Sequence, residues 1–218
     1  MLPKSHSIQD YLKAIYKIGS DSPVLTNDIA RFLGVKAPSV SNMVKKLSTM
    51  NLVEYNSHHG VVLTESGRKI ALEVLRHHRL LETYLKVALG YPLERLHEEA
   101  EKLEHVISEE FEDRIDAIMG HPQFDPHGDP IPSKDGVMPF YEDVPLSSIE
   151  EQTSFLLTRI SAKDKNNLRF FETNQLLPGQ TLFVETTNTF TLSIKLSSQI
   201  ILLDRQLAEM LHGSKVSS

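Results

Sequence analysis

The stretch from Gly120 to Pro139, GHPQFDPHGDPIPSKDGVMP, is so dense in proline, glycine and aspartate that no long helix or paired strand is expected to run through it. It divides the chain into two regimes. Before it, apolar residues recur three and four apart over long runs, as amphipathic helices require. After it, from about Pro145 to Gly213, they come in short runs: Phe155 to Ile160, Thr181 to Glu185, Phe190 to Ile194 and Ile200 to Leu203. The fold class expected is therefore mainly α with a small β part. Residues 145–218 read as an SH3-like β-barrel with a turn at Leu176-Leu177-Pro178-Gly179 and a short closing helix from Asp204 to Leu211. Residues 121–144 read as a Pro-rich linker, extended in places as polyproline II, with His121 and His127 as surface residues.

Residues 1–70 form the first module. Ile8, Leu12, Ile15, Tyr16 and Ile18 share a helical period that Gly19 stops, and Asp10 lies near the start, where a carboxylate ordinarily complements the helix dipole. Thr26-Asn27-Asp28 can cap a short helix ended by Gly34, and Pro38 opens a second helix running to Met50. Two short helices around a glycine turn are the helix-turn-helix arrangement, whose second helix enters the DNA major groove. Lys36 precedes that helix, and its exposed positions would be Ser39, Ser41, Asn42, Lys45 and Lys46, serine and asparagine for base edges or phosphates and lysine for phosphates. Leu52 to Tyr55 and Val61 to Leu63 then read as a hairpin, a wing with His58 and His59 at its tip beside the DNA backbone. Without the DNA reading, the module would be a helical protein-interaction domain.

Residues 71–120 carry the chemistry. Thr64 can cap a long helix with more apolar positions than one face needs, which suits burial both in its own domain and against a second subunit. Pro92 starts the next helix. His78 shares a helical face with Glu82, and His97, Glu101, Glu104 and His105 form a second stripe. Imidazole nitrogen and carboxylate oxygen are the donors that Mn²⁺ and Fe²⁺ prefer, and two packed helices could enclose such an ion. The alternative is a solvated acidic helix with incidental histidines.

Charge supports a division of labour. The net charge is −6, yet residues 1–70 hold nine Lys/Arg against five acids, while Leu93 to Met119 hold ten acids against three bases. A basic part suits phosphates and an acidic part suits cations. The absence of cysteine excludes disulfides, thiolate metal sites and thiol nucleophiles. No signal-peptide core and no run of about 18 apolar residues is present, so a cytoplasmic protein with no membrane contact is expected.

With these motifs in hand, the chain resembles the diphtheria toxin repressor family of metal-dependent transcriptional regulators, in its long form with an SH3-like carboxy-terminal domain. The likeness is carried by SIQDYLKAIY, the helix-turn-helix, TESGRKIA, HHRLLETYL, HEEAEKLEHVISEEFEDRI and HPQFDPHGDPIP. It implies two metal sites per subunit, one using His78, Glu82 and His97, the other Asp10, Glu101, Glu104 and His105. Iron-responsive members tend to have Met and Cys where this chain has Asp10 and Glu101, whereas manganese-type members have Asp and Glu. Asp10 and Glu101 thus favour Mn²⁺, but manganese-type members often add a carboxylate one turn after Asp10, where this chain has Lys13 and Ala14, and this leaves Fe²⁺ open. In iron-type relatives the SH3-like domain lends ligands to the His78 site, which makes Asp164 a further candidate.

The resemblance implies a homodimer that binds double-stranded palindromic operator DNA when the metal fastens the first helix, through Asp10, to the segment bearing Glu101, Glu104 and His105. Two other readings remain. His97-Glu98-Glu99-Ala100-Glu101 partly resembles the zinc-protease signature H-E-x-x-H but lacks its second histidine, and no phosphate loop or nucleophile elbow supports a metallohydrolase. A winged-helix regulator with an organic effector is the third.

Overall fold

The computed structural model describes residues 5–19, 22–56 and 59–216. It contains two compact units. The first comprises Met1–His78, Leu103–Ser108 and Pro132–Val137, and the second Arg79–Lys102, Glu109–Ile131 and Met138–Ser218.

In the first unit, α1 (His6–Gly19), α2 (Thr26–Leu33) and α3 (Ala37–Thr49) are followed by the antiparallel hairpin β1 (Val53–Asn56) and β2 (Gly60–Leu63). The spacing that predicts helices also builds the core. Ile8, Leu12 and Ile15 of α1, Ile29 of α2, and Val40, Val44 and Leu47 of α3 are buried together with Val53 and Val61 of the hairpin. Each such side chain contributes roughly 1.5–3 kcal/mol when fully removed from water. The turn between α2 and α3 needs Gly34, whose φ of 65° lies in the left-handed region that a Cβ disfavours. The expected Thr26-Asn27-Asp28 cap does not form: Leu25 holds the N-cap position without a side-chain bond, and Asp28 pairs with Arg31 at 3.1 Å. Val24 bridges Val61, adding a third backbone segment to the wing. Thr64 does cap the long α4 (Glu65–Val87), its hydroxyl accepting the Gly67 N–H at 3.1 Å.

The second unit holds the rest of α4, then α5 (Leu93–Leu103) and α6 (Glu109–Ile118). Here α5 stops earlier than its pattern suggests. Glu104, His105 and Val106 form a turn instead of a further helical stripe, and that turn belongs to the first unit. The segment after α6 is not an extended linker. Asp125 Oδ1 accepts the N–H groups of His127 and Asp129 at 2.8 and 3.0 Å, and Phe124 bridges Pro130. Gly128, at φ 89°, lies so close to the strand beneath it that a Cβ would meet the Thr158 carbonyl oxygen at 1.9 Å. His127, expected at the surface, is buried, while His121 is exposed.

The carboxy-terminal part is an antiparallel sheet of six strands, β3 (Val144–Pro145), β4 (Thr153–Ile160), β5 (Thr181–Thr187), β6 (Thr191–Leu196), β7 (Gln199–Asp204) and β8 (Leu211–Lys215). They lie in the order β3-β8-β4-β5-β6-β7, and Phe155, Leu157, Leu182, Val184, Leu192 and Ile194 fill the core. Two helices accompany the sheet, α7 (Lys165–Thr173) and α8 (Arg205–Glu209), the latter capped by Asp204. Neither α7 nor β8 is among the elements that the sequence pattern suggests. Within this unit α7 is joined to the helices by ion pairs: Lys165 to Glu98 at 2.5 Å, Arg169 to Glu94 at 3.2 Å, and Glu172 to Lys86. The Lys165 ammonium holds the Glu98 carboxyl below its ordinary range.

Candidate metal centres and DNA-reading face

The first group of donors forms where α1 meets the turn after α5. Asp10, Glu104 and His105 each offer a ligand atom, and the three atoms lie within 4.8 Å of one another. His105 Nε2 is 2.8 Å from Asp10 Oδ1 and 3.3 Å from Glu104 Oε1. Five neighbours fix the histidine and the glutamate. His105 Nδ1 donates to Gln9 Oε1 at 2.5 Å, which directs Nε2 toward the carboxylates, and the His6 ring stacks on His105 at 4.8 Å. Glu104, fully buried, accepts from His78 Nδ1 at 2.5 Å on Oε2 and from Lys13 Nζ at 2.5 Å on Oε1, while its carbonyl accepts from His77 Nδ1 at 3.0 Å. Within the first unit, His78 is bonded to Glu104.

The second group lies wholly in the second unit. Glu82, Asp125 and His127 are buried and present atoms within 4.8 Å of one another. His127 Nδ1 stands 3.8 Å from Glu82 Oε2 and 4.0 Å from Asp125 Oδ1. Burial, reinforced by the neighbouring Glu82 and Asp129 carboxylates, pushes the Asp125 carboxyl up to about 7. For His127, burial pulls the imidazole down, but the neighbouring Glu82 carboxylate, with Asp125 and Asp129, outweighs it and the net shift is upward. Arg79 supplies the counter-charge, 3.7 Å from Asp125 and 3.7 Å from Asp129, and donates to the Pro130 carbonyl.

The remaining candidates fall outside these two triads. His97 is exposed on α5, with Nδ1 3.7 Å from Glu82 Oε1, and Glu101 is exposed on the same helix in the second unit. Asp164 is the N-cap of α7, its Oδ1 accepting the N–H groups of Asn166 and Asn167 at 2.9 and 3.2 Å, so this carboxylate has a structural occupation. Asp125 and His127 are absent from the sequence-based ligand set, although D-P-H with an acid two residues later is a recognisable signal. Lys13, Gln9 and Arg79 had none, because their roles depend on residues 46 to 96 positions away.

Both triads suit a hard or borderline divalent cation: every donor is a carboxylate oxygen or an imidazole nitrogen, and the chain has no cysteine. On α3, Ser39, Asn42, Lys45 and Lys46 are exposed and Ser41 half-buried, opposite the buried Val40, Val44 and Leu47, and Lys36 is exposed just before the helix. His59 is exposed at the wing, and His58 lies outside the described residues.

Comparison with known proteins agrees with this architecture. Residues 4–61 match the iron-dependent repressor N-terminal DNA-binding domain, and residues 64–133 match the iron-dependent repressor metal-binding and dimerisation domain. A solved manganese-dependent transcriptional repressor in complex with manganese superposes with a TM-score of 0.86 at 36% identity, covering 95% of this chain and 99% of that one. The chain belongs to the diphtheria toxin repressor family. The diphtheria toxin repressor of Corynebacterium diphtheriae is 28% identical over 198 residues, 89% of this chain and 83% of that protein. The iron-dependent repressor IdeR of Mycobacterium tuberculosis is 37% identical over 123 residues, 56% of this chain but only 54% of its own length. The family is one of metal-dependent transcriptional repressors and not of enzymes, which removes the metallohydrolase reading. Among the described residues no helix is long and apolar enough to cross a membrane.

Proposed function

We propose that this chain represses genes of metal homeostasis in the cytoplasm, binding palindromic operator DNA as a homodimer when loaded with Mn²⁺, with Fe²⁺ as the second reading. The observation that carries the proposal is the 2.8 Å approach of Asp10, on the first helix of the DNA-binding module, to His105 in the turn after α5. When bound, a divalent ion supplies the positive charge that lets Asp10 and Glu104 face each other at close range. Asp10 then ties α1 to the Glu104–His105 turn, and α1 carries the core against which α3 is packed. Lys36, Ser39, Ser41, Asn42, Lys45, Lys46, His58 and His59 are the residues we assign to DNA. Val87, Leu89, Phe111 and Ile118 expose apolar surface suited to a second copy. In the dimer the two copies of α3 would stand about one duplex turn apart, ~34 Å.

We assign the first metal centre to Asp10, Glu104 and His105, with His78 bonded to Glu104. The second we assign to Glu82, Asp125 and His127, with His97 beside Glu82. Oxygen and nitrogen donors without thiolate lower the advantage that later transition metals would gain from sulfur, which suits Mn²⁺.

The test uses the full chain and duplex DNA that the protein itself enriches from random sequence. Fluorescence anisotropy is read against buffered free Mn²⁺, anaerobic Fe²⁺ and Zn²⁺. Wild type should gain affinity with Mn²⁺, and Asp10→Ala should lose that gain. Full Mn²⁺ stimulation in Asp10→Ala would refute the mechanism. Glu101→Ala, run in parallel, decides whether the carboxylate that the family resemblance assigns to the first site takes part. Calorimetric titration showing no Mn²⁺ uptake at all would favour an organic effector.

A further inference from the structure

Lys13 contacts the first donor group but, as an ammonium, cannot itself be a ligand. It sits one helical turn after Asp10 on α1, is buried to 4% exposure, and its Nζ lies 2.5 Å from Oε1 of Glu104, which is at 0%. A buried ammonium and a buried carboxylate at this range compensate each other for lost hydration. The same Oε1 is the Glu104 atom nearest His105 Nε2, at 3.3 Å, so the ammonium occupies the side of the carboxylate that faces the donor triad. His78 holds the opposite oxygen at 2.5 Å. The two neighbours differ in what they can do next. An imidazole can turn a nitrogen lone pair to a metal, whereas an ammonium has three donors and no lone pair.

We propose that Lys13 is a tethered cation competing with the divalent ion for Glu104, and that this competition sets the metal concentration at which the repressor switches. The inference rests on the metal reading of the Asp10–Glu104–His105 group. A metal at Glu104 Oε1 repels the ammonium held on that same oxygen and weakens or displaces it, so the free energy lost from the Lys13–Glu104 pair is subtracted from that of metal binding. Lys13 also neutralises Glu104 from within the protein, which keeps α1 joined to the turn after α5 by a salt bridge. Removing the charge should therefore have opposite effects on the two states. The protein without added metal becomes less stable, and the metal binds more tightly.

The experiment compares full-length wild type, Lys13→Met and Lys13→Gln by calorimetric Mn²⁺ titration with a competing chelator and by thermal melting with and without Mn²⁺. Asp10→Ala identifies the binding phase that belongs to the first group. If wild type has no Asp10-dependent phase, the metal reading itself fails, independently of Lys13. Given that phase, Lys13→Met and Lys13→Gln should bind Mn²⁺ about tenfold more tightly or better in it. They should melt lower than wild type in chelator and show a larger Mn²⁺-induced rise in melting temperature. Equal or weaker affinity in the variants would overturn the proposal and make Lys13 a residue that positions Glu104 for the metal. A second readout needs no substitution: NMR of the wild-type lysine ammonium groups in chelator and with diamagnetic Zn²⁺. The Lys13 signal, slowed in exchange by its pairing, should be lost on Zn²⁺ loading, and its persistence unchanged would equally overturn the proposal.

Discussion

Two donor triads, each contained within one unit, solve one electrostatic problem with different parts. Each places two carboxylates and an imidazole within 4.8 Å and sets a fixed cationic side chain beside them, Lys13 in one and Arg79 in the other. In the first triad the charged partners come from α1 and from the turn after α5, and Asp10 is still 37% exposed at its side chain. In the second, all three donors are buried, and the loop that supplies Asp125 and His127 is pinned by Asp125 to its own backbone N–H groups and by Gly128 to β4. The first thus joins α1 to the turn after α5 through Asp10, Lys13 and Gln9, with Asp10 partly open, whereas the second is closed around its own loop. This contrast teaches that donor chemistry alone does not separate a switching site from a stabilising one. What separates them is which segments the donors join.

Several substitutions would break or sharpen that contrast. The largest effect is expected from Glu104→Ala, which leaves the Lys13 ammonium buried without its carboxylate. We expect a loss of about 3–5 kcal/mol in denaturant unfolding together with loss of the Asp10-dependent Mn²⁺ phase. If stability were unchanged, the first triad would be no more than a surface cluster. Gly128→Ala should act only on the second triad. The added methyl group collides with the Thr158 carbonyl in a left-handed conformation, so unfolding free energy should fall by about 1–3 kcal/mol, with the second Mn²⁺ equivalent lost and the first retained.

A pH series separates the triads by protonation. Asp125 titrates at about 7 in the folded chain against an ordinary 3.8, because burial and neighbouring carboxylates disfavour its charge. Between those values the unfolded chain has released the proton and the folded chain has not, so stability from this group falls as pH rises through the window. The upward shift of His127 has the same sign, its contribution being lost as pH rises through its folded value above 6.5. Metal binding requires both groups deprotonated, so Mn²⁺ affinity at the second triad should climb from about pH 6 to about pH 8, with proton release seen in calorimetry. Asp125→Asn should flatten that climb. The smallest effect is expected at Asp164, where Asp164→Ala removes the α7 cap at about 1 kcal/mol and leaves Mn²⁺ stoichiometry unchanged. A lost metal equivalent in that variant would restore Asp164 as a ligand.

Much of this was legible before the fold was known. Ile8, Leu12 and Ile15, the Gly34 turn and the apolar spacing of α3 define the helix-turn-helix locally, because each depends on residues within one or two turns. The departures share one cause. Extending α5 through Glu104 and His105 follows from their spacing, but the helix ends at Leu103 and hands both side chains to the first unit. His127 looked exposed because proline and glycine mark loops, and loops are ordinarily wet, yet this one is held against β4 by the Ile160 N–H bond to its carbonyl at 2.7 Å. Helix α7 is absent from the elements expected: its buried Leu168 and Phe171 fit a helical period, but the adjacent Phe170 blurs it.

The order of residues by itself determined the helical and sheet regimes, the reading helix with its serine, asparagine and lysine face, and the stock of carboxylate and imidazole donors, since periodicity and side-chain chemistry are local properties. Only the tertiary structure decided that Glu104 is shared by His78, His105 and Lys13, that Asp125 and His127 join Glu82, and that Asp164 caps a helix. Those pairings link positions up to 91 residues apart. The field of a buried charge acts through space, and no spacing along the chain records it.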